Sequence, residues 1–192
     1  LRCFDSDNIQ NVNENVDPIR DLEIIDTEMK LADIDSINKR LNKKNKKNID
    51  DEQNEILEMS LKLINNEVDQ KDFQNKFNKK QIKNSGLLST KPRLFVCNVD
   101  EKSIVNGNNY TKDFTSKFGP KNTLIISSEI ENQIKKINEK EKESYMKILG
   151  MNSTGLGDLI KKGYDLLELN TFFTSGPEES RAWTISKNSY AP

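Results

Sequence analysis

Apolar residues in this chain fall into short stripes separated by long polar stretches, and the spacing of the stripes changes along the sequence. Leu1-Arg2-Cys3-Phe4 predicts the end of a strand, and Asp5 to Val16 a polar loop. Asp17-Pro18 predicts an N-cap with Pro at the first helical position. From Ile19 to about Lys47 the pattern is helical, with Leu31, Ile34, Ile37 and Leu41 on one stripe. A second helix, from about Asp51 to Asn66, repeats the device with Ile56, Met59 and Leu63. Joined by Asn48-Ile49-Asp50, the two predict an antiparallel helical hairpin with a narrow, coiled-coil-like seam. A third helical piece, about Gln70 to Asn84, carries Phe73 and Phe77 one turn apart and ends at Asn84-Ser85-Gly86.

The second half alternates. Lys91-Pro92 stops helicity, and Leu94-Phe95-Val96-Cys97 predicts a buried strand that ends abruptly in Asn98-Val99-Asp100-Glu101. A short helix over Asp113 to Phe118 is broken by Gly119-Pro120, and Asn122 to Ser127 predicts a second buried strand. A helix from about Glu129 to Leu149 follows, with Ile130, Ile134 and Ile137 on one face and a break near Asn138. Ser153-Thr154 caps a further helix to about Leu169, with Leu156, Leu159, Ile160 and Leu167 inward. This alternation predicts a parallel α/β sheet. Asn170 to Thr174 and Arg181 to Ile185, around Ser175 to Ser180, predict a hairpin that opens a mainly β domain. Two strands alone are marginal, and Leu1 stands where a Met would begin a chain. The expectation is therefore a piece of a longer protein, cut at both sides.

Composition narrows the chemistry. Hydrophobic residues are 33% and charged residues 32%; that balance fits solvated helix better than an extensive core. Net charge is −1, so any case for nucleic acid has to be local. With no histidine, Ser/His/Asp and Cys/His catalysis and His-ligated zinc are excluded within this chain. Cys3 and Cys97 match no zinc or redox spacing; buried free thiols in a reducing compartment are expected. No apolar run approaches the length of a membrane span, and no signal peptide is visible.

Candidate chemistry gathers at the strand end, where ligands bind in open α/β sheets. Asn98-Val99-Asp100-Glu101 stands where GTPases carry Asn-Lys-x-Asp. There the Asp carboxylate accepts two donors from guanine; adenine presents an acceptor in place of one of them, so the altered tetrapeptide leans towards adenine. From these four residues alone, a strand that simply ends in an Asx turn is the favoured reading. Ser127-Ser128 stands at a base-supporting loop, or is simply a helix cap. The basic cluster Lys39, Arg40, Lys43, Lys44, Lys46 and Lys47 at the hairpin tip suits phosphate contact, although charge alone favours a solvated helix end. A second cluster comprises Lys76, Lys79, Lys80 and Lys83. The acidic runs read as solvated helix faces, and no carboxylate pair is poised for acid–base work. No G-x-x-x-x-G-K-[ST] loop exists in the 192 residues.

Three collinear blocks carry a family resemblance: Leu1-Arg2-Cys3-Phe4 with Val16-Asp17-Pro18 and Asp21 to Glu28; Leu87 to Pro92 with Asn98 to Glu101; and Thr171 to Ile185. Together they resemble the YchF/Obg-like ATPases, a branch of the Obg-type P-loop translation-factor NTPases. The resemblance implies an α/β fold: the C-terminal half of a P-loop G domain, with an antiparallel coiled-coil insertion and the first hairpin of a β-grasp TGS domain. The implied boundaries are 1–17 (G domain), 18–90 (coiled coil), 91–169 (G domain with the base-recognition motif) and 170–192 (start of TGS). It further implies ATP, in preference to GTP, with Mg²⁺ whose ligands lie outside this chain. Asn98 and the backbone of Val99 would contact the base, Glu101 would stand at the guanine-reading position, and Ser127 and Ser128 would support the base. Catalytic residues would be absent from this chain, so it is expected to be inactive alone. Implied partners are nucleotide and the ribosome or RNA, with no membrane, as a monomer in the cytoplasm, with an organelle left open. A non-catalytic coiled-coil/TGS module acting on RNA or ribosomes is the competing reading.

Overall fold

A computed structural model describes residues 1–6, 9, 15–43 and 51–190. They divide into two compact units, residues 20–91 and residues 1–19 with 92–192.

The first unit is helical. α1 spans Pro18–Lys43, and the Asp17 carboxylate accepts from Ile19 N at 3.1 Å, the expected N-cap. α2 is Asp51–Ile64. The third helical piece is two helices, α3 (Gln70–Lys76) and α4 (Lys79–Ser85). Extended Phe77 (φ −121°, ψ 136°) separates them. Asn78 then starts α4 with a reciprocal capping box: its side chain accepts from Gln81 N at 2.9 Å and Gln81 Oε1 accepts from Asn78 N at 2.7 Å. Gly86, at φ 72°, ends α4 in the left-handed region that a side chain would strain.

α2 buries two faces. Leu57, with Leu61 and Ile64, packs on Ile37 and Leu41 of α1 and on Leu87. Ile56, with Met59 and Leu63, packs on Phe73, Phe77 and Ile82. The narrow seam expected of it is thus widened by α3 and α4. Leu31, expected on the inward stripe of α1, is 54% exposed. Its place is taken by Asp33, 2% exposed, whose two oxygens accept from Leu88 N and Ser89 N, each at 2.8 Å. Arg40 Nη1 donates to Ser85 O at 2.6 Å. These contacts hold the 85–89 turn on α1.

The second unit contains the parallel pair β1 (Phe95–Asn98) and β2 (Thr123–Ile126), in register Phe95↔Thr123 to Asn98↔Ile126. On the other side of β1, Arg2 bridges Asn98 in parallel, with Asn98 N donating to Leu1 O and Cys3 N to Asn98 O, each at 2.8 Å. α5 (Asn109–Phe118) connects β1 to β2, and its Phe114 packs edge-on to Phe95 with ring centroids 5.5 Å apart. It starts earlier than expected because Asn108 and Thr111 form a capping box. Cys3 and Cys97 are both fully buried and are not joined by a disulfide. The helix expected to break near Asn138 does so, giving α6 (Ser128–Lys136) and α7 (Glu139–Ile148).

α8 is Gly155–Leu166, capped by Thr154, which accepts from Gly157 N at 3.0 Å. Its expected inward stripe is corrected: Leu156, Ile160 and Leu167 are all more than half exposed. The helix instead meets β2 through Gly155, which lacks a side chain to hold it away, and through Lys162, which donates to Thr123 O at 2.6 Å. β3 (Leu169–Ser175) and β4 (Ser180–Ser186) form the expected antiparallel hairpin. Among the described residues no helix is long and apolar enough to cross a membrane.

Candidate functional site

The carboxyl end of β1 and the amino end of α6 meet because the two strands are parallel and in register. Asn98 lies opposite Ile126, so the residues after each strand emerge side by side. Asn98 Oδ1 accepts from both Ser128 N and Ser128 Oγ, each at 2.9 Å. With its oxygen so engaged, the amide presents Nδ2 outward as a donor. The N-terminus of α6, with its positive partial charge, lies at the same point.

The residues expected at the base site are placed as follows. Val99 is 3% exposed and donates its N–H to Ile126 O at 2.8 Å. Asp100 O accepts from Ser103 N at 3.2 Å in a single 3-10 turn over Glu101–Ser103. Asp100 Oδ1 and Ser127 Oγ are buried without a protein partner among the described residues; such atoms need a water or a ligand. Glu101 Oε1 accepts from Gln133 Nε2 at 2.6 Å, and Tyr145 OH donates to Gln133 Oε1. Gln133 and Tyr145 were not among the expected residues. Nothing in the sequence links position 101 to 133, and only the fold of α6 and α7 joins them.

The arrangement offers the Asn98 amide, a helix N-terminus at Ser128, and two buried polar atoms, Asp100 Oδ1 and Ser127 Oγ, without partners among the described residues. Among the described residues no group of three or more His, Cys, Asp or Glu could hold an ion.

The basic cluster is only partly described. Lys39 pairs with Asp35 at 2.6 Å and Arg40 is engaged by Ser85 O; the Lys43 side chain and Lys44, Lys46 and Lys47 lie outside the described residues. Lys76 pairs with Glu55 at 2.6 Å.

No family model matches the chain. The ribosome-binding ATPase YchF of Bacillus subtilis (strain 168) is 33% identical over 202 residues, covering 100% of this chain and 55% of that protein. YchF of Escherichia coli O157:H7 is 32% identical over 200 residues, with the same shares. Obg-like ATPase 1 of Pongo abelii is 33% identical over 205 residues, covering 100% of this chain and 52% of its own length. A solved structure, the Schizosaccharomyces pombe YchF GTPase, matches with a TM-score of 0.75 and 25% identity over 99% of this chain and 55% of that one. The chain thus spans about half the length of each. Along its whole length, this chain is therefore similar to about half the length of the YchF and Obg-like ATPases, and it shares their α/β fold.

Proposed function

We propose that this chain holds the base-recognition half of a nucleotide-binding, ribosome-associated ATPase of the YchF kind, reading ATP in preference to GTP. The observation that carries the reading is the Asn98–Ser128 contact, which joins the strand-end tetrapeptide to the serine loop at a helix N-terminus. Asn98 Nδ2 would donate to a purine ring nitrogen, a contact both purines offer. The base preference would then fall to Glu101, which replaces the guanine-reading Asp and whose Oε1 accepts from Gln133 of α6.

In this reading, residues 1–17 and 91–169 are G-domain pieces, 18–90 the coiled-coil insertion and 170–192 the opening of a TGS domain. Hydrolysis requires phosphate positioning and charge stabilisation. The 192 residues contain no Walker-type glycine loop to supply them, so Mg²⁺ and the phosphates would be handled by residues outside this chain. The ribosome is the proposed partner, in the cytoplasm, because relatives carry the name ribosome-binding. The proposed RNA contact is the hairpin tip, through Lys39, Arg40, Lys43, Lys44, Lys46 and Lys47. Arg40 also holds Ser85 O, so charge reversal at Lys43, Lys44, Lys46 and Lys47 is the cleaner probe.

The test is titration of the ¹⁵N-labelled chain with ATP and with GTP. Amide shifts confined to residues 98–101 and 127–128, at lower ATP than GTP concentration and abolished by Asn98→Ala, are expected. Equal affinity, or a preference for GTP, would contradict the reading. Shifts confined to the helical unit on adding RNA, with none from nucleotide, would favour the non-catalytic binding module.

A further inference from the structure

We infer that the outer edge of β2, at Ile125, is a docking site for an extended acidic peptide, which would join the sheet there as a further strand. The inference neither uses nor requires the base site. It starts from the direction of the backbone. In a parallel ladder, alternate residues turn both N–H and C=O to the same neighbour. Phe95 N donates to Asn122 O and Val99 N to Ile126 O, whereas Asn98 N turns the other way, to Leu1 O, each at 2.8 Å. On β2, therefore, Asn122, Leu124 and Ile126 face β1, and Thr123 and Ile125 face outward. Lys162 of α8 meets that outward side, donating to Thr123 O at 2.6 Å, and Thr123 N donates to Pro120 O at 3.4 Å. Thr123 is thus covered. Ile125 is not: no described residue bonds to its outward N–H or C=O.

An open donor and acceptor on a sheet edge are what strand addition uses. β2 has neither a proline nor a bulge to block it. Beside this edge lies a groove of about 520 Å³ along α5, lined by Asn106, Lys112, Thr115, Ser116, Pro120 and Ile125 among others. That is within the roughly 300–1,000 Å³ of ligand clefts. Its walls set the chemistry of the occupant. No Asp or Glu lines the groove. Lys112 on its wall and Lys121, next to Pro120 at its end, are both exposed. The one acid of α5, Asp113, stands about 100° round the helix from Lys112. Main-chain bonds at Ile125 would supply the affinity. The lysine charge, with the Thr115 and Ser116 hydroxyls, would select carboxylate side chains on the added strand.

The test adds three acetylated and amidated hexapeptides to the ¹⁵N-labelled chain. One alternates valine and glutamate, one alternates valine and lysine, and the third is the valine–glutamate peptide N-methylated at every residue, which removes its backbone donors. The valine–glutamate peptide is expected to move the Ile125 amide and to slow its exchange with deuterated solvent. The valine–lysine peptide should bind more weakly, and the N-methylated one should leave Ile125 unmoved. Lys112→Glu should weaken the valine–glutamate peptide about fivefold, the scale of one exposed charge pair, and strengthen the valine–lysine peptide. An unmoved Ile125 amide, binding that survives N-methylation, or equal binding of the lysine peptide overturns the inference. So does a concentration-dependent shift of Ile125 without peptide, which would make a second copy of the chain the occupant. An RNA oligonucleotide that moves Ile125 when the valine–glutamate peptide does not would likewise overturn it. Should Lys112→Glu lose its folded spectrum, the three peptides on the unmodified chain decide by the same criteria.

Discussion

A β-carbon at position 155 would lie 2.8 Å from Ile126 Cγ2 and 3.0 Å from Glu131 Oε1, the oxygen that accepts from Gly155 N at 2.6 Å. Ile126 ends β2 and Glu131 lies on α6, so the absent methyl allows three elements to converge behind the base site. Gly155→Ala is expected to lower stability by about 1–3 kcal/mol, the usual cost of overpacking, measured by urea unfolding. Amide shifts should spread to Ser127 and Ser128. Asp33 is the other residue on which a turn depends. Its buried carboxylate takes two backbone N–H groups, and Asp33→Ala would leave both without an acceptor. A loss of about 3 kcal/mol is expected, read as a lower midpoint in urea unfolding followed by helical circular dichroism. Asp33→Asn, keeping one acceptor oxygen, should lose less. Asp33 was not legible in the sequence, because its partners lie 55 and 56 residues away and no local pattern announces them.

Among the elements, legibility followed the range of the signal. The expected caps at Asp17-Pro18 and Thr154 form, whereas the break at Asn78 and the start at Asn108 were missed, because an Asn in a polar run marks a cap only through its reciprocal partner, Gln81 or Thr111. Buried faces are set by what lies opposite, and there the reading failed for Leu31, Leu156, Ile160 and Leu167. Their spacing is helical in each case, but periodicity reports an apolar stripe and not its occupant. The hairpin was legible because its turn and alternation are local. Its attachment to α8 was not: the Thr171 and Thr184 hydroxyls bond to the Tyr164 phenol oxygen and hold that group below its ordinary pKa. Lys187 bonds Asp165 at 2.8 Å, and this hydrogen bond, with the lysine charge, holds the carboxyl below its usual range. The contact therefore contributes fully above about pH 4, near the unfolded carboxyl value, and is lost as the pH falls through the depressed folded value. The amides of Ser186 to Asn188 should stay constant from about pH 7 to 5 and move below about pH 4, and Asp165→Asn should abolish that movement.

For the whole molecule, the decisive fact is a division of labour across sequence. The residues proposed to face a base are present, and no glycine-rich phosphate loop occurs anywhere in the chain. The purified chain is therefore expected to release no phosphate from ATP above a no-protein control, and to bind nucleotide only weakly. Release that scales with protein concentration and survives further purification would contradict this. The candidate site was legible as far as Asn98, Ser127 and Ser128, since parallel strands in register place those residues together. It was illegible at Gln133 and Tyr145, because the α6–α7 reversal decides which side chain reaches Glu101.

The bridge between Arg2 and Asn98 bears on time as well as place. Asn98 N–H is closed by Leu1 O, while Val99 N–H is closed by Ile126 O on the opposite side. Successive amides of the reading strand are thus latched to different neighbours, and releasing both requires two separations at once. Under native conditions these two protons should exchange with deuterated solvent more slowly than those of the exposed β3–β4 hairpin. A base arriving here would meet a backbone already at rest, and the adjustment would fall to side chains alone.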